Sequence, residues 1–125
     1  MKARILLNSS AHEYFFFEGC YITEWSNSPD DADASIARAR VLPGVTTHWH
    51  KLDGIAERYV ILQGEGEVEV GGLPSMPVTT GDVVVIPAGT RQRIRNSAET
   101  DLVFLAVCTP RFVIDAYVDL EAANE

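Results

Sequence analysis

His48-Trp49-His50, followed by Glu57 and then Gly64, is the part of this chain whose residue types and spacing can do chemistry. Two histidines one residue apart point the same way on a β-strand, because successive side chains alternate faces. Glu57 opens the next apolar stretch, Tyr59-Val60-Ile61-Leu62, and Gly64 closes it. A strand pair joined by Lys51 to Ala56 brings that carboxylate beside the two imidazoles. Two histidines and one carboxylate on a concave face make a site for a first-row transition metal. His48, His50 and Glu57 are therefore expected as metal ligands.

The elements that must position them read as β-strands throughout. Short apolar stretches separated by Gly, Pro, Asn and Asp clusters recur down the sequence, the pattern of an all-β sandwich or barrel. Tyr14 to Phe17 and Tyr21 to Trp25 read as the first strands, and Ser26 to Asp33 as a polar loop. Ser35 to Leu42 alternates, with Ile36, Arg38, Arg40 and Leu42 on one face and Ala37, Ala39 and Val41 on the other. Pro43-Gly44 turns the chain into the strand expected to carry both histidines. Glu67 to Val70 alternates after a tight turn at Gly64-Glu65-Gly66, and Leu73 to Pro77 is too rich in proline for a central strand. Val83-Val84-Val85-Ile86 is a continuous apolar run suited to a strand buried on both faces. Arg91 to Arg95 alternates strictly, so Gln92 shares a face with Ile94 and Asn96, opposite the three arginines. Leu102 to Thr109 is a further buried strand. The tail, Ile114 to Asn124, is expected to form a short C-terminal helix, with Ala116, Leu120 and Ala123 on one side.

Composition bounds the function. The chain has 125 residues, 46% hydrophobic and 22% charged, enough for one domain with a real core. A net charge of -8 disfavours a nucleic-acid or anionic-membrane partner. Cys20 and Cys108 lie among apolar neighbours and are expected as buried reduced thiols, not a disulfide framework. The apolar run after Met1 ends at Asn8-Ser9-Ser10, too short for a signal peptide, and no window suits a membrane span. A cytoplasmic location is the corresponding expectation.

The motifs resemble those of a known family. Gly44, His48-Trp49-His50, Glu57 and Gly64 resemble the first cupin motif, and Gly81, Pro87-Ala88-Gly89, Gln92 and Asn96 resemble the second. The resemblance to small single-domain cupins implies an all-β double-stranded β-helix, or jelly roll, with a metal in the barrel mouth. It divides the chain into N-terminal strands and loop over 1–34, belonging to the barrel or a dimer interface, a barrel core over 35–110 and a tail over 111–125. The chain departs from the pattern in a shorter Gly44 to His48 interval, a longer His50 to Glu57 interval and Gln92 in the place of the second-motif histidine. A Gln carbonyl oxygen is a neutral, weaker ligand than imidazole and cannot shuttle a proton.

His48, His50, Glu57 and Gln92 form the expected metal set on this resemblance, with a structural hydrogen bond as the other role open to Gln92. One divalent transition metal per chain is implied, with Fe, Mn, Ni, Zn and Cu all open. Glu57 and Tyr59 are the candidate catalytic groups, Tyr59 having core packing as its other role. Arg38, Arg40 and Tyr59 are candidates for the substrate pocket, since an inward guanidinium would hold a substrate carboxylate in a bidentate grip. Arg91, Arg93 and Arg95 are expected to pair with acids. The aromatic run Tyr14 to Phe17 is expected in the core or in a homodimer interface. The resemblance implies a metal-dependent enzyme acting on a small organic substrate, an oxygenase, lyase or cyclase-isomerase. The alternative is a non-catalytic module that binds a metal or a small ligand.

Overall fold

Alternation of side chains explains how the strands divide. In the computed structural model, which describes residues 1–121, Glu57, Tyr59 and Ile61 are buried while Ala56, Arg58 and Val60 are only partly so. That is a strand with one face on the core. Eleven strands form among the described residues. β1 (Glu13–Phe16), β2 (Cys20–Ser26), β3 (Ser35–Val41), β4 (His50–Leu52), β5 (Ala56–Gln63) and β6 (Glu65–Val70) come first. β7 (Met76–Thr79), β8 (Val83–Ile86), β9 (Gln92–Asn96), β10 (Leu102–Thr109) and β11 (Tyr117–Asp119) follow.

They assemble as two antiparallel sheets, one in the order β1-β2-β3-β10-β5-β8 and the other in the order β11-β4-β9-β6-β7. The fold is the all-β jelly roll expected from the sequence. Its core is the set of inward side chains of both sheets, including Val41, Ile61, Ile86, Ile94, Leu102 and Phe104. Burying an aliphatic side chain of this size stabilises the fold by roughly 1.5–3 kcal/mol. Asn96, fully buried, holds the corner after β9 by donating to the carbonyls of Val41 (2.9 Å) and Thr100 (2.8 Å) and accepting from the Ala98 amide. A second, smaller cluster, Leu52, Ile55, Cys108 and Ala116 with Phe112 and Tyr117 against it, packs at the end where β4 meets β11.

Three expectations about elements are corrected. The segment from Ile114 forms only one 3-10 turn, Ile114–Ala116, and then strand β11. Residues 117–119 pair with β4 (Tyr117 opposite Leu52, Asp119 opposite His50), and those ladder bonds outweigh the weak helical spacing; Ala122 to Asn124 lie outside the described residues. β8 is not buried on both faces: it ends its sheet, and Val83 and Val85 stand exposed on its outer side. Finally, β4 begins at His50, so His48 precedes the strand. Thr47 causes this, because its amide and hydroxyl both bond the Ile94 carbonyl and its hydroxyl receives the Ile94 amide. The His48 amide is held by the Glu18 carbonyl at 2.8 Å.

Cys20 and Cys108 are both buried and unpaired as disulfides. Tyr14, Phe15 and Phe17 remain exposed at the β1 edge. No helix among the described residues is long and apolar enough to cross a membrane.

Candidate functional site

His50 and Gln92 face each other in register across β4 and β9. Glu57 comes from β5 in the opposite sheet, beside Cys108 of β10. His50 and Glu57 line a cavity at one end of the sandwich, while Gln92 lies behind them, outside its lining. Glu18, from the turn between β1 and β2, and Tyr117, from β11, complete the polar end; Phe16, Ile22, Leu52 and Phe112 supply apolar walls.

His50 is 2% exposed. Its Nδ1 lies 2.7 Å from the His48 carbonyl oxygen. A carbonyl only accepts, so Nδ1 carries the proton and Nε2 of the neutral ring is the basic atom. Nε2 stands 3.5 Å from a Glu18 carboxyl oxygen. Burial lowers the pKa of His50, which keeps the ring neutral. Tyr117 stacks on it, ring centroids 5.1 Å apart and 16° from parallel.

Glu57 is 8% exposed, and its Oε1 has no hydrogen-bond partner. Its Oε2 receives the Cys108 thiol at 3.8 Å, and the Gln92 amide lies close to the same carboxyl. Burial, and then the neighbouring Glu18, push the Glu57 carboxyl up to about 7, against smaller lowering effects of His50, Gln92 and Cys108. Burial raises Glu18 further, to about 8, with Asp119 adding and His48 opposing. The Tyr117 hydroxyl is also buried without a hydrogen-bond partner, and burial raises its pKa.

Of the expected site residues, the structure brings His50, Glu57 and Gln92 together and leaves His48 aside. His48 does not line the cavity; its side chain is 41% exposed and its Nδ1 pairs with Asp119 at 3.2 Å. Gln92, 1% exposed, accepts the Tyr59 hydroxyl proton on its side-chain oxygen. That oxygen is engaged with Tyr59 behind Glu57, a hydrogen bond of the structural kind. Tyr59 is 3% exposed and packs on Phe104 with centroids 4.4 Å apart; it does not line the cavity.

Arg38 and Arg40 lie on the outer face of β3, because Ser35, Ala37, Ala39 and Val41 take the inner one. Arg40 donates to Glu13 at 2.7 Å and to Asp101 at 3.1 Å, and Arg38 reaches Glu13 at 3.5 Å. Neither guanidinium lines the cavity. Among the three arginines of β9, Arg93 pairs with Glu69 at 2.9 Å and lies over the Trp49 ring, while Arg91 also covers Trp49.

These placements test the fit of a metal. Among the described residues no three His, Cys, Asp or Glu side chains are arranged to hold a metal ion. With His48 turned to Asp119, the two histidines do not share a site with Glu57, and the residues as placed do not fit a transition-metal centre.

Glu18 and Tyr117 escaped the sequence reading. Glu18 carried a signal, a lone acid between Phe17 and Gly19 inside an aromatic run. Tyr117 carried none, because its position depends on β11 pairing with β4.

Two inward sheet faces closing on a cavity, with a polar cluster at one end, define a small β-barrel. A family model for the cupin domain matches residues 37–108, and the chain belongs to the cupin family. An oxalate-binding protein of Thermotoga maritima is 41% identical over 71 residues, a match that takes in 57% of this chain and 58% of that relative. Among solved structures, the Streptomyces nucleoside dehydratase Pac13 superposes with a TM-score of 0.79 at 15% identity, over 95% of this chain and 92% of that one. KdgF from Halomonas has a TM-score of 0.77 at 19% identity, over 89% and 96%. Lactobacillus farciminis oxalate decarboxylase has a TM-score of 0.78 at 22% identity, over 94% of this chain and 36% of that one. At these identities the structures show a shared fold.

Proposed function

We propose that this cupin is an enzyme that moves a proton on a small organic molecule without a metal, a lyase or isomerase. The observation that carries the reading is Glu57, buried with one unpartnered oxygen, lining the same cavity as His50, whose Nε2 is the basic atom. Two titratable groups pushed in opposite directions, an acid raised and an imidazole lowered, are suited to general acid-base work near neutral pH. His50 Nε2 takes a proton from a substrate carbon. The protonated Glu57 carboxyl gives one to a departing hydroxyl, releasing water, or to a neighbouring atom, completing an isomerisation. The His48 carbonyl fixes the His50 tautomer, and Tyr117 holds the ring plane by stacking.

Similarity to an oxalate-binding protein supports small-molecule binding as the broad role. A metal-dependent reaction, oxygenase chemistry included, requires His48 to join His50, whereas His48 pairs with Asp119.

The reading is tested by incubating EDTA-treated protein in D₂O with small enolisable ketones, hydroxyketones and aminoketones, following carbon-bound deuterium by NMR. Exchange or product formation is expected for at least one compound, at a rate unaffected by EDTA and lost in His50→Gln. Stoichiometric iron, manganese, nickel, zinc or copper in the purified protein by elemental analysis, with turnover lost on its removal, would overturn it.

A further inference from the structure

Apolar side chains make up most of the cavity wall. Phe16, Ile22 and Ala106 line it on one side and pack against the main core. Leu52, Phe112 and Tyr117 line it on another and belong with the second cluster. Phe16 and Tyr117 meet edge to face, ring centroids 5.2 Å apart, and join the two sides. The wall is thus fixed by packing.

Among the described residues no lysine or arginine lines the cavity. The arginines of β3 and β5, and Arg111 next to Phe112, are held by other groups: Arg38 and Arg40 by Glu13, Arg58 by the Thr109 hydroxyl, and Arg111 by Asn27 at 2.9 Å. The buried ionisable groups at the polar end are kept uncharged. Burial holds the His50 ring neutral, and burial raises the Glu57 and Glu18 carboxyls to about 7 and about 8. Glu24 stands exposed at the mouth.

An ion that leaves water for such a wall loses its hydration and meets no opposite charge, a far larger loss than a neutral polar group suffers. Proton transfer gives a second reason. When neutral His50 takes a proton from a neutral substrate, an imidazolium and an anion form together and the site as a whole stays uncharged. A substrate that already carries a carboxylate ends the same step with two negative charges against one imidazolium. A substrate ammonium leaves a positive charge unopposed beside protonated carboxyls.

We infer that the cavity takes an uncharged organic molecule, its apolar body along Phe16, Leu52 and Phe112 and its carbonyl or hydroxyl at the His50 end, and that it excludes carboxylates and amines of the same size. The inference rests on the proton-transfer reading of the same site and names its substrate class.

Benzyl alcohol, benzylamine and benzoate, with oxalate as a second anion, test it when titrated into the full chain at about pH 6.5, where both carboxyls hold their protons. NMR follows the ring signals of His50 and Phe112. Benzyl alcohol is expected to bind at least about tenfold more tightly than benzylamine or benzoate, and oxalate to leave both rings unmoved. Phe112→Ala, its fold checked by circular dichroism, should weaken benzyl alcohol by about tenfold, through loss of an aromatic contact. If that variant does not fold, nuclear Overhauser contacts from benzyl alcohol to the His50 and Phe112 rings of the parent provide the same check. Benzylamine, benzoate or oxalate binding within a few-fold of benzyl alcohol, or more tightly, overturns the uncharged class and leaves the proton-transfer reading standing. Benzyl alcohol that keeps its affinity in Phe112→Ala, or that contacts neither ring, binds elsewhere and overturns the inference as well. No binding of benzyl alcohol also overturns it, while deuterium exchange into ketones decides the proton-transfer reading separately.

Discussion

Gly64→Ala is expected to destabilise the fold by about 2–4 kcal/mol, the largest loss from any single methyl group in this chain. Gly64 sits at the corner where the chain leaves β5 in one sheet and enters β6 in the other. Its φ is +87°, which costs an L-residue roughly 1–2 kcal/mol. A Cβ placed there meets the Asp101 carbonyl oxygen at 2.7 Å and the Leu102 Cα at 3.2 Å, both backbone atoms that cannot swing away. The corner sets how β5 stands against β10 and thereby where Glu57 faces Cys108. Two other glycines separate the contributions. Gly81→Ala has open space but φ +92°, so it suffers the conformational cost alone. Gly72→Ala has neither problem and should lie within about 0.5 kcal/mol of the parent. Urea unfolding of the three variants checks the order; a Gly64→Ala protein as stable as Gly72→Ala would remove the corner from the account.

Glu57→Gln is expected to abolish turnover and to stabilise the protein at alkaline pH. Loss of a positioned acid lowers the rate by about 10²–10⁴-fold. The stability effect follows from linkage. Glu57 and Glu18 have folded pKa values raised from 4.5 to about 7 and about 8. The folded state therefore holds protons that the unfolded chain has released, and stability falls as pH rises through those values. His50 acts in the opposite sense, because its lowered pKa leaves the folded ring neutral when the unfolded one, near 6.5, takes a proton. Its effect is confined to pH below about 6.5. Between pH 6.5 and 8 the carboxyls act alone, with a slope of up to about 1.4 kcal/mol per pH unit for each proton retained. Removing the Glu57 carboxyl should recover about 3 kcal/mol at pH 8 and flatten the slope. Denaturation series at pH 5.5, 6.5, 7.5 and 8.5 provide the measurement. A parent that is more stable at pH 8.5 than at 6.5, or a variant with the same slope, would show that these carboxyls are not held neutral by burial. Such a site sacrifices stability for chemistry, as functional sites commonly do.

Metal dependence divides the two levels of reading most clearly. His-x-His with a following glutamate is a ligand pattern only if both histidines alternate on one strand. Thr47, by taking the Ile94 backbone on both its amide and its hydroxyl, delays the start of β4 to His50. His48 then falls beside Asp119 of β11, a strand that the spacing after Ile114 does not announce.

What the linear order of residues determined by itself is the β architecture, its turns and the inward set Glu57, Tyr59, Ile61, Gln92, Ile94 and Asn96. Those depend on period-two alternation and on local glycine and proline geometry, which are properties of neighbouring residues. Only the tertiary structure decided which partners those inward groups meet. The exclusion of Arg38 and Arg40 depends on which face of β3 meets the opposite sheet, a choice that alternation leaves symmetric. The arrival of Glu18 and Tyr117 beside His50 depends on chain segments more than thirty residues away in sequence on either side. Whether the Gln92 oxygen is open to a ligand depends on Tyr59 across the sandwich. Contacts between elements follow from how two sheets are stacked and closed, and no local pattern encodes that stacking.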